Sequence, residues 1–124
     1  MNDYQQNVNI SIETVTGQET DKYNVIKLVG NLDKIGLDTI RGKIDAEVEA
    51  CQKDFIVMDF SQLNFINSES IGFLLTIYYR LLKKQKKLVI VGAPENINDV
   101  LSVIGLLKII DSYTSLDEFK TTIQ

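Results

Sequence analysis

The sequence predicts an α/β domain: a mixed sheet of four to five strands, opened by an N-terminal β-hairpin and covered by about four helices. Three observations carry this. Val8, Ile10 and Ile12 alternate with Asn9, Ser11 and Glu13, the period of a strand with one buried and one solvated face. Phe55–Phe60 and Leu88–Val91 are short apolar runs without that alternation, the pattern of central parallel strands covered on both sides. Between and after these runs the apolar residues recur at helical spacing. With 124 residues, 44% apolar and 24% charged, residues 1–124 fit one domain, able to bury roughly two-thirds of the unfolded surface without disulfides or metal.

The elements follow in order. After the polar turn Gly17–Asp21, a second strand from Tyr23 to Val29 pairs with the first as an antiparallel hairpin. Gly30-Asn31-Leu32-Asp33 breaks that strand, and Leu37, Ile40, Ile44, Val48 and Cys51 then mark one face of a helix reaching Ala50. Ser61–Ile66 reads as the loop after the third strand. Asn67 and Ser68 are both good N-cap residues for the next helix. Its main stripe is Ile71, Leu74, Leu75, Tyr78 and Leu82, widened by Phe73, Ile77 and Leu81, with Gly72, Thr76, Arg80, Lys83 and Lys84 on the polar side. Burial of each large apolar side chain is worth about 1.5–3 kcal/mol, so this helix is a main source of stability. Phe73 and Tyr79 exceed what one stripe needs and read either as core or as partner-facing surface.

The strand Leu88–Val91 ends at Gly92, and Pro94 suits the first position of a third helix. Ile97, Val100, Leu101 and Ile104 form its apolar face, with Gly105 as the C-terminal cap. Leu106–Ile110 is admitted as a short last strand. Ser115 with Glu118 is a capping box opening a helix whose apolar face is Leu116, Phe119 and Ile123. Parallel strands in this order require crossovers, expected to be right-handed.

Composition excludes several functions. A net charge of -4 argues against direct nucleic-acid binding, which depends on Lys and Arg displacing counterions. The basic run Lys83-Lys84-Gln85-Lys86-Lys87 falls at a helix end, where cations oppose the negative terminus, and reads as a solvated cap. The chain has no histidine, so Ser-His-Asp triads, Cys-His dyads and His-ligated metal sites are ruled out. Its one cysteine, Cys51, continues an apolar stripe and reads as a buried structural thiol. No run has the length or flanks of a membrane span or a signal peptide, so the expected setting is cytoplasmic, without membrane insertion. No Gly-rich phosphate turn follows the first strand, and the carboxylate Asp59 lacks the acidic pair that a phosphate-accepting aspartate needs to hold magnesium. No catalytic residue, metal site or cofactor is expected.

What remains is the junction Phe65-Ile66-Asn67-Ser68-Glu69-Ser70-Ile71-Gly72-Phe73, where small polar residues open an apolar helix. A helix start favours anions, and a hydroxyl there suits a phosphate acceptor. Gly30-Asn31-Leu32-Asp33, Ile56-Val57-Met58-Asp59-Phe60, Ile66-Asn67-Ser68-Glu69-Ser70-Ile71-Gly72 and Ile104-Gly105-Leu106 together resemble, in order, the motifs of the STAS domain family, and within it the bacterial anti-sigma factor antagonists. The likeness spans nearly the whole chain. It implies one STAS-like domain that is not an enzyme. It also implies that Ser68 aligns with a serine phosphorylated by an anti-sigma factor that is a serine kinase. The unphosphorylated protein would bind that kinase and free a sigma factor, and a PP2C-type phosphatase would reset the switch. Asp33, Asn67, Ser68, Glu69, Ser70 and Phe73 are the implied partner-binding residues. A phosphorylation-independent STAS module of a lipid-transport complex or stress-signalling scaffold, with Ser68 only a cap, is the alternative.

Three positions depart from the family pattern: Asn67 replaces Asp, Glu69 replaces a second Ser or Thr, and Ser70 replaces Gly. Asn67 keeps the capping ability and loses a charge. Glu69 would repel a phosphate on Ser68 by ~1–3 kcal/mol at a separation of about 6 Å, against ~0.3–2 kcal/mol of attraction from the helix start. The two roughly cancel, so phosphorylation is expected to spare the fold and act at the interface.

Overall fold

The structure, a computed structural model, describes residues 11–16 and 22–123. Its elements run β1 (Ser11–Thr16), β2 (Tyr23–Leu32), α1 (Lys34–Ala50), β3 (Phe55–Ile66), α2 (Ser68–Lys83), β4 (Lys87–Val91), α3 (Glu95–Ile104), a 3₁₀ turn (Leu106–Lys108), β5 (Asp111–Tyr113) and α4 (Leu116–Thr122). The strands stand in the order β1-β2-β3-β4-β5. β1 is antiparallel to β2, from Ser11 opposite Val29 to Thr16 opposite Asn24, and the remaining neighbours are parallel. The expected hairpin is therefore present. Val8, Ile10 and the turn Gly17–Asp21 lie outside the described residues.

Each parallel crossover steps one strand in the same direction, so helices of one hand must cover one face. α1, α2 and α3 do so, burying Leu37, Ile44, Leu74, Ile77, Ile97 and Leu101 against Ile26, Ile56, Met58 and Ile90. The alternate strand residues Val25, Val57, Val89 and Val91 face the other way. There α4 closes the sheet through Phe119, whose ring meets Tyr23, Phe55 and Tyr113 at centroid distances of 5.8, 5.1 and 5.5 Å. Both faces of β3 and β4 are covered, which is why their sequences do not alternate.

Several elements differ from expectation. Ser61–Ile66 is not a loop: β3 continues to Ile66 and β2 to Leu32. β3 has 12 residues where β2 has 10, and the register slips between Lys27 and Val29 and again between Gly30 and Asn31. Each slip is a bulge that adds one residue to β3, so Phe60, Leu63 and Ile66 are buried at every third position. That spacing is neither strand-like nor helical. Gly30, at φ 111, carries β2 past the second slip where a side chain would be strained.

The buried stripe of α2 is Ile71, Phe73, Leu74, Ile77 and Leu81, while Leu75 and Tyr78 are half-buried and Leu82 is 37% exposed. Of the residues read as widening the stripe, Ile77 and Leu81 are thus at its centre and Phe73 at its edge. Pro94 is the N-cap of α3, one position before the helix, and Val100 and Ile104 are exposed. Gly105 ends α3 in the left-handed region, at φ 89, as expected of a cap. Leu106–Lys108 forms a 3₁₀ turn, and the Ile110 amide reaches back to the Leu106 carbonyl, so the last strand is Asp111–Tyr113 instead. Ser115 accepts from the Glu118 amide as a capping box requires, and the Glu118 carboxylate accepts from Thr114, one residue earlier than the motif predicts.

The α1–α2 seam carries its own polar joint. Arg80 reaches Asp45 at 2.7 Å and Glu49 at 2.9 Å. Lys84 donates to the carbonyls of Val48 and Glu49 at the C-terminal end of α1. The basic run therefore caps the neighbouring helix as well as its own. Hydrogen bonding from Arg80, and then the charge of Lys84, holds the Glu49 carboxyl below the usual carboxylate range.

Candidate functional site

Leu32 and Ile66 are register partners at the C-terminal ends of β2 and β3, so the residues that follow them start α1 and α2 side by side. Each helix opens on an Asx cap. Asp33 accepts from the Gly36 amide at 2.8 Å, and Asn67 accepts from the Ser70 amide at 2.9 Å. The loss of charge at Asn67 thus leaves capping intact. Asn67, not Ser68, is the N-cap, and Ser68 is the first residue of the helix.

The two turns are tied together at one oxygen. The Leu32 carbonyl accepts from the Asn67 amide at 3.0 Å and from the Ser70 hydroxyl at 3.1 Å. Ser70 is 1% exposed, and this bond satisfies a hydroxyl that would otherwise be costly to bury. The replacement of Gly by Ser at this position therefore has a structural account: it locks α2 to the end of β2. Ser68, two residues earlier, lies on the exposed side.

Glu69 is exposed and pairs with Arg41 of α1 at 3.3 Å. The Arg41 guanidinium in turn lies over the Phe73 ring, 4.8 Å from its centre. Phe73 is 8% exposed, so its ring belongs to the core with one face roofed by Arg41. Tyr79 is exposed, two turns further along α2. The structure thus brings Asp33 and Asn67–Ser70 together at one end of the sheet and sets Phe73 beneath them.

Sequence reasoning missed three residues here. Arg41 is separated from Glu69 by 28 positions, and no local pattern pairs them. Ile35, in the first turn of α1, is 57% exposed, and Phe65, at the end of β3, is 49% exposed. Phe65 stands in the stretch read as a loop, Ser61–Ile66, and an aromatic there is the signal that would have found it. Asn96 of α3 donates to the Asn64 carbonyl, fixing the strand beside Phe65.

Among the described residues no group of three or more His, Cys, Asp or Glu side chains is placed to hold a metal ion. Asp59 accepts from the Ser61 amide at 2.9 Å, a local contact within β3. An open cleft of about 830 Å³ lies between β5 and the starts of α3 and α4, lined by Glu95, Asn98, Asp111, Tyr113 and Glu118 among others; none of the residues opening α2 lines it. No helix among the described residues is long and apolar enough to cross a membrane.

An anti-sigma F factor antagonist of Paenibacillus polymyxa is 26% identical over 89 residues, 72% of this chain and 76% of that protein. The crystal structure of an anti-sigma factor antagonist from Mycobacterium paratuberculosis matches with a TM-score of 0.76 at 24% identity, over 90% of this chain and 93% of that one. The Bacillus cell fate determinant SpoIIAA, in its phosphorylated form, matches with a TM-score of 0.66 at 22% identity, over 93% of this chain and 99% of that one. These structures share the fold. The family model described as the STAS domain matches residues 14–119, from within β1 into α4. The chain belongs to the STAS domain family.

Proposed function

We propose that this chain is an anti-sigma factor antagonist, a cytoplasmic binding protein and not an enzyme. It engages a kinase-type anti-sigma factor through the turn at Ser68 and the start of α2, and so releases a sigma factor. Phosphorylation of Ser68 by that kinase turns binding off, and a PP2C-type phosphatase restores it.

The observation that carries this reading is the contrast between two serines in one helical turn. Ser68 is exposed at the first position of α2, whereas Ser70 is 1% exposed and already donates to the Leu32 carbonyl. A kinase has access to one and not the other. Around Ser68 the exposed apolar side chains Ile35 and Phe65, each a few residues from a carboxylate, Asp33 or Glu69, supply a mixed surface of the kind that binds proteins. Support also comes from the anti-sigma F factor antagonist that the chain resembles and from a fold neighbour solved in a phosphorylated form.

Phosphate adds about -1.5 to -2 charge, and burying it unpaired in an interface costs several kcal/mol, where ~1.4 kcal/mol is already tenfold in affinity. Incubation with the cognate kinase and ATP, followed by mass spectrometry, should find phosphate on Ser68. Phosphate on Ser70 alone, or none, would sink the assignment. Ser68→Asp should weaken the partner at least about tenfold, with the melting temperature nearly unchanged. Recovery of transporter subunits in a pull-down, in place of a kinase-type ATPase, would favour the alternative binding module.

A further inference from the structure

The negative charge beside Ser68 is already occupied. Glu69 accepts from Arg41 Nη2 at 3.3 Å, and the Arg41 guanidinium rests over Phe73 at 4.8 Å from the ring centre. Glu69 and Phe73 are four positions apart on α2 and share a face, so Arg41 lies along that face with its stem anchored in α1. The carboxylate contact uses one of the five guanidinium N–H donors. The two side chains are 40% and 51% exposed, a setting in which water and salt make an ion pair easy to exchange.

We propose that Arg41 is the phosphate-receiving residue of this site: when Ser68 is phosphorylated, the guanidinium leaves the Glu69 carboxylate and binds the phosphate, turning on the Phe73 ring. This rests on the reading of Ser68 as the phosphorylated residue. A phosphate carries more charge than a carboxylate and three acceptor oxygens that suit a guanidinium fork. Ser68 and Glu69 are successive residues whose side chains diverge by about 100° at the helix start, so the guanidinium must swing from one to the other, a move the long Arg41 stem allows. Stacking on Phe73 keeps the guanidinium at the start of α2 in both states, so little side-chain freedom is lost in the exchange. Glu69 then has two roles. Before phosphorylation it holds Arg41 in place, and afterwards it is released to solvent as a second exposed negative charge. The residue that seemed to oppose phosphorylation is thereby part of its effect.

Lys34 is the competing cation, about two turns before Arg41 at the start of α1, with Nζ 3.6 Å from Asp38. The test uses the full chain with phosphoserine encoded at position 68 during translation, so no kinase is needed, and follows the phosphate by ³¹P NMR as pH is varied. Arg41→Gln should raise the second phosphate pKa by about 0.5 or more, roughly a threefold gain in proton affinity. Glu69→Gln should lower it, because the competing carboxylate is gone, and Lys34→Gln should leave it unchanged. Arg41→Lys, which keeps the charge and loses the fork, should fall between wild type and Arg41→Gln. Identical titrations for wild type and Arg41→Gln, or a shift produced by Lys34→Gln in its place, would overturn the proposal. Unchanged melting temperatures of the unphosphorylated variants exclude a folding defect as the cause. A kinase that ignores Ser68 would refute the functional reading and leave this titration unaltered, whereas a flat titration refutes Arg41 alone.

Discussion

The seam between α1 and α2 is joined differently at its two ends. At the C-terminal end Arg80 forks onto Asp45 and Glu49 at 2.7 and 2.9 Å, and Lys84 caps the last carbonyls of α1. At the Ser68 end Arg41 meets Glu69 at 3.3 Å and lies over the Phe73 ring. The forked pair of short Arg80 bonds holds geometry, whereas one longer carboxylate contact exchanges more easily. The two helices are thus clamped away from the candidate site and more adjustable at it, which suits the proposed change of charge at Ser68.

Substitutions can break this contrast. The largest effect is expected from Arg80→Ala, which leaves Asp45 and Glu49 facing each other and should lower stability by about 1 kcal/mol. Glu69→Gln, at the other end, should cost less than about 0.5 kcal/mol. Equal losses in denaturant unfolding would erase the difference between the two ends.

A gain is expected beside the clamp. Gln85 adopts φ 63 just past α2, where its amide bonds to the Leu82 carbonyl and the Lys86 amide to that of Leu81. This is a Schellman ending that normally takes glycine. Gln85→Gly should raise stability by about 0.5–1 kcal/mol and leave partner binding unchanged. A loss of stability would mean that the side chain contributes more than its backbone strain.

The smallest effect is on pH dependence. The Glu49 carboxyl is held below its ordinary value of 4.5, chiefly by its hydrogen bond from Arg80. The folded state therefore binds this proton less readily than the unfolded state. The stabilisation is complete above the ordinary value and is lost as pH falls through the lowered one. Melts from about pH 6 to about pH 3 should show a steeper decline for wild type than for Glu49→Gln. Parallel curves would show that the bond adds nothing to stability.

Much of this was legible in the residues. The unbroken runs Phe55–Phe60 and Leu88–Val91 and the stripe Leu37-Ile40-Ile44-Val48 place β3, β4 and α1, while only Ser11, Ile12 and Glu13 of the first strand's alternation fall among the described residues, within β1. The caps at Asn67, Gly105 and Ser115 mark the helix ends. The end of β3 was not legible, because two bulges set Phe60, Leu63 and Ile66 at a spacing that matches no regular element. Nor was the true face of α2, since so many of its residues are apolar that two stripes compete and only the packing against β2–β4 selects one.

At the site, the sequence by itself determined that a small polar turn with serines opens an apolar helix at a sheet end, in a chain without histidine. Those features depend on caps and periodicity, which act over a few residues. Tertiary structure decided which serine is exposed, what holds Ser70, and which cation faces Glu69. Each of these depends on a partner far along the chain, Leu32 for Ser70 and Arg41 for Glu69, brought near by the parallel pairing of β2 with β3. Short-range preferences write the elements into the sequence, while contacts between distant residues exist only once the sheet has set its register.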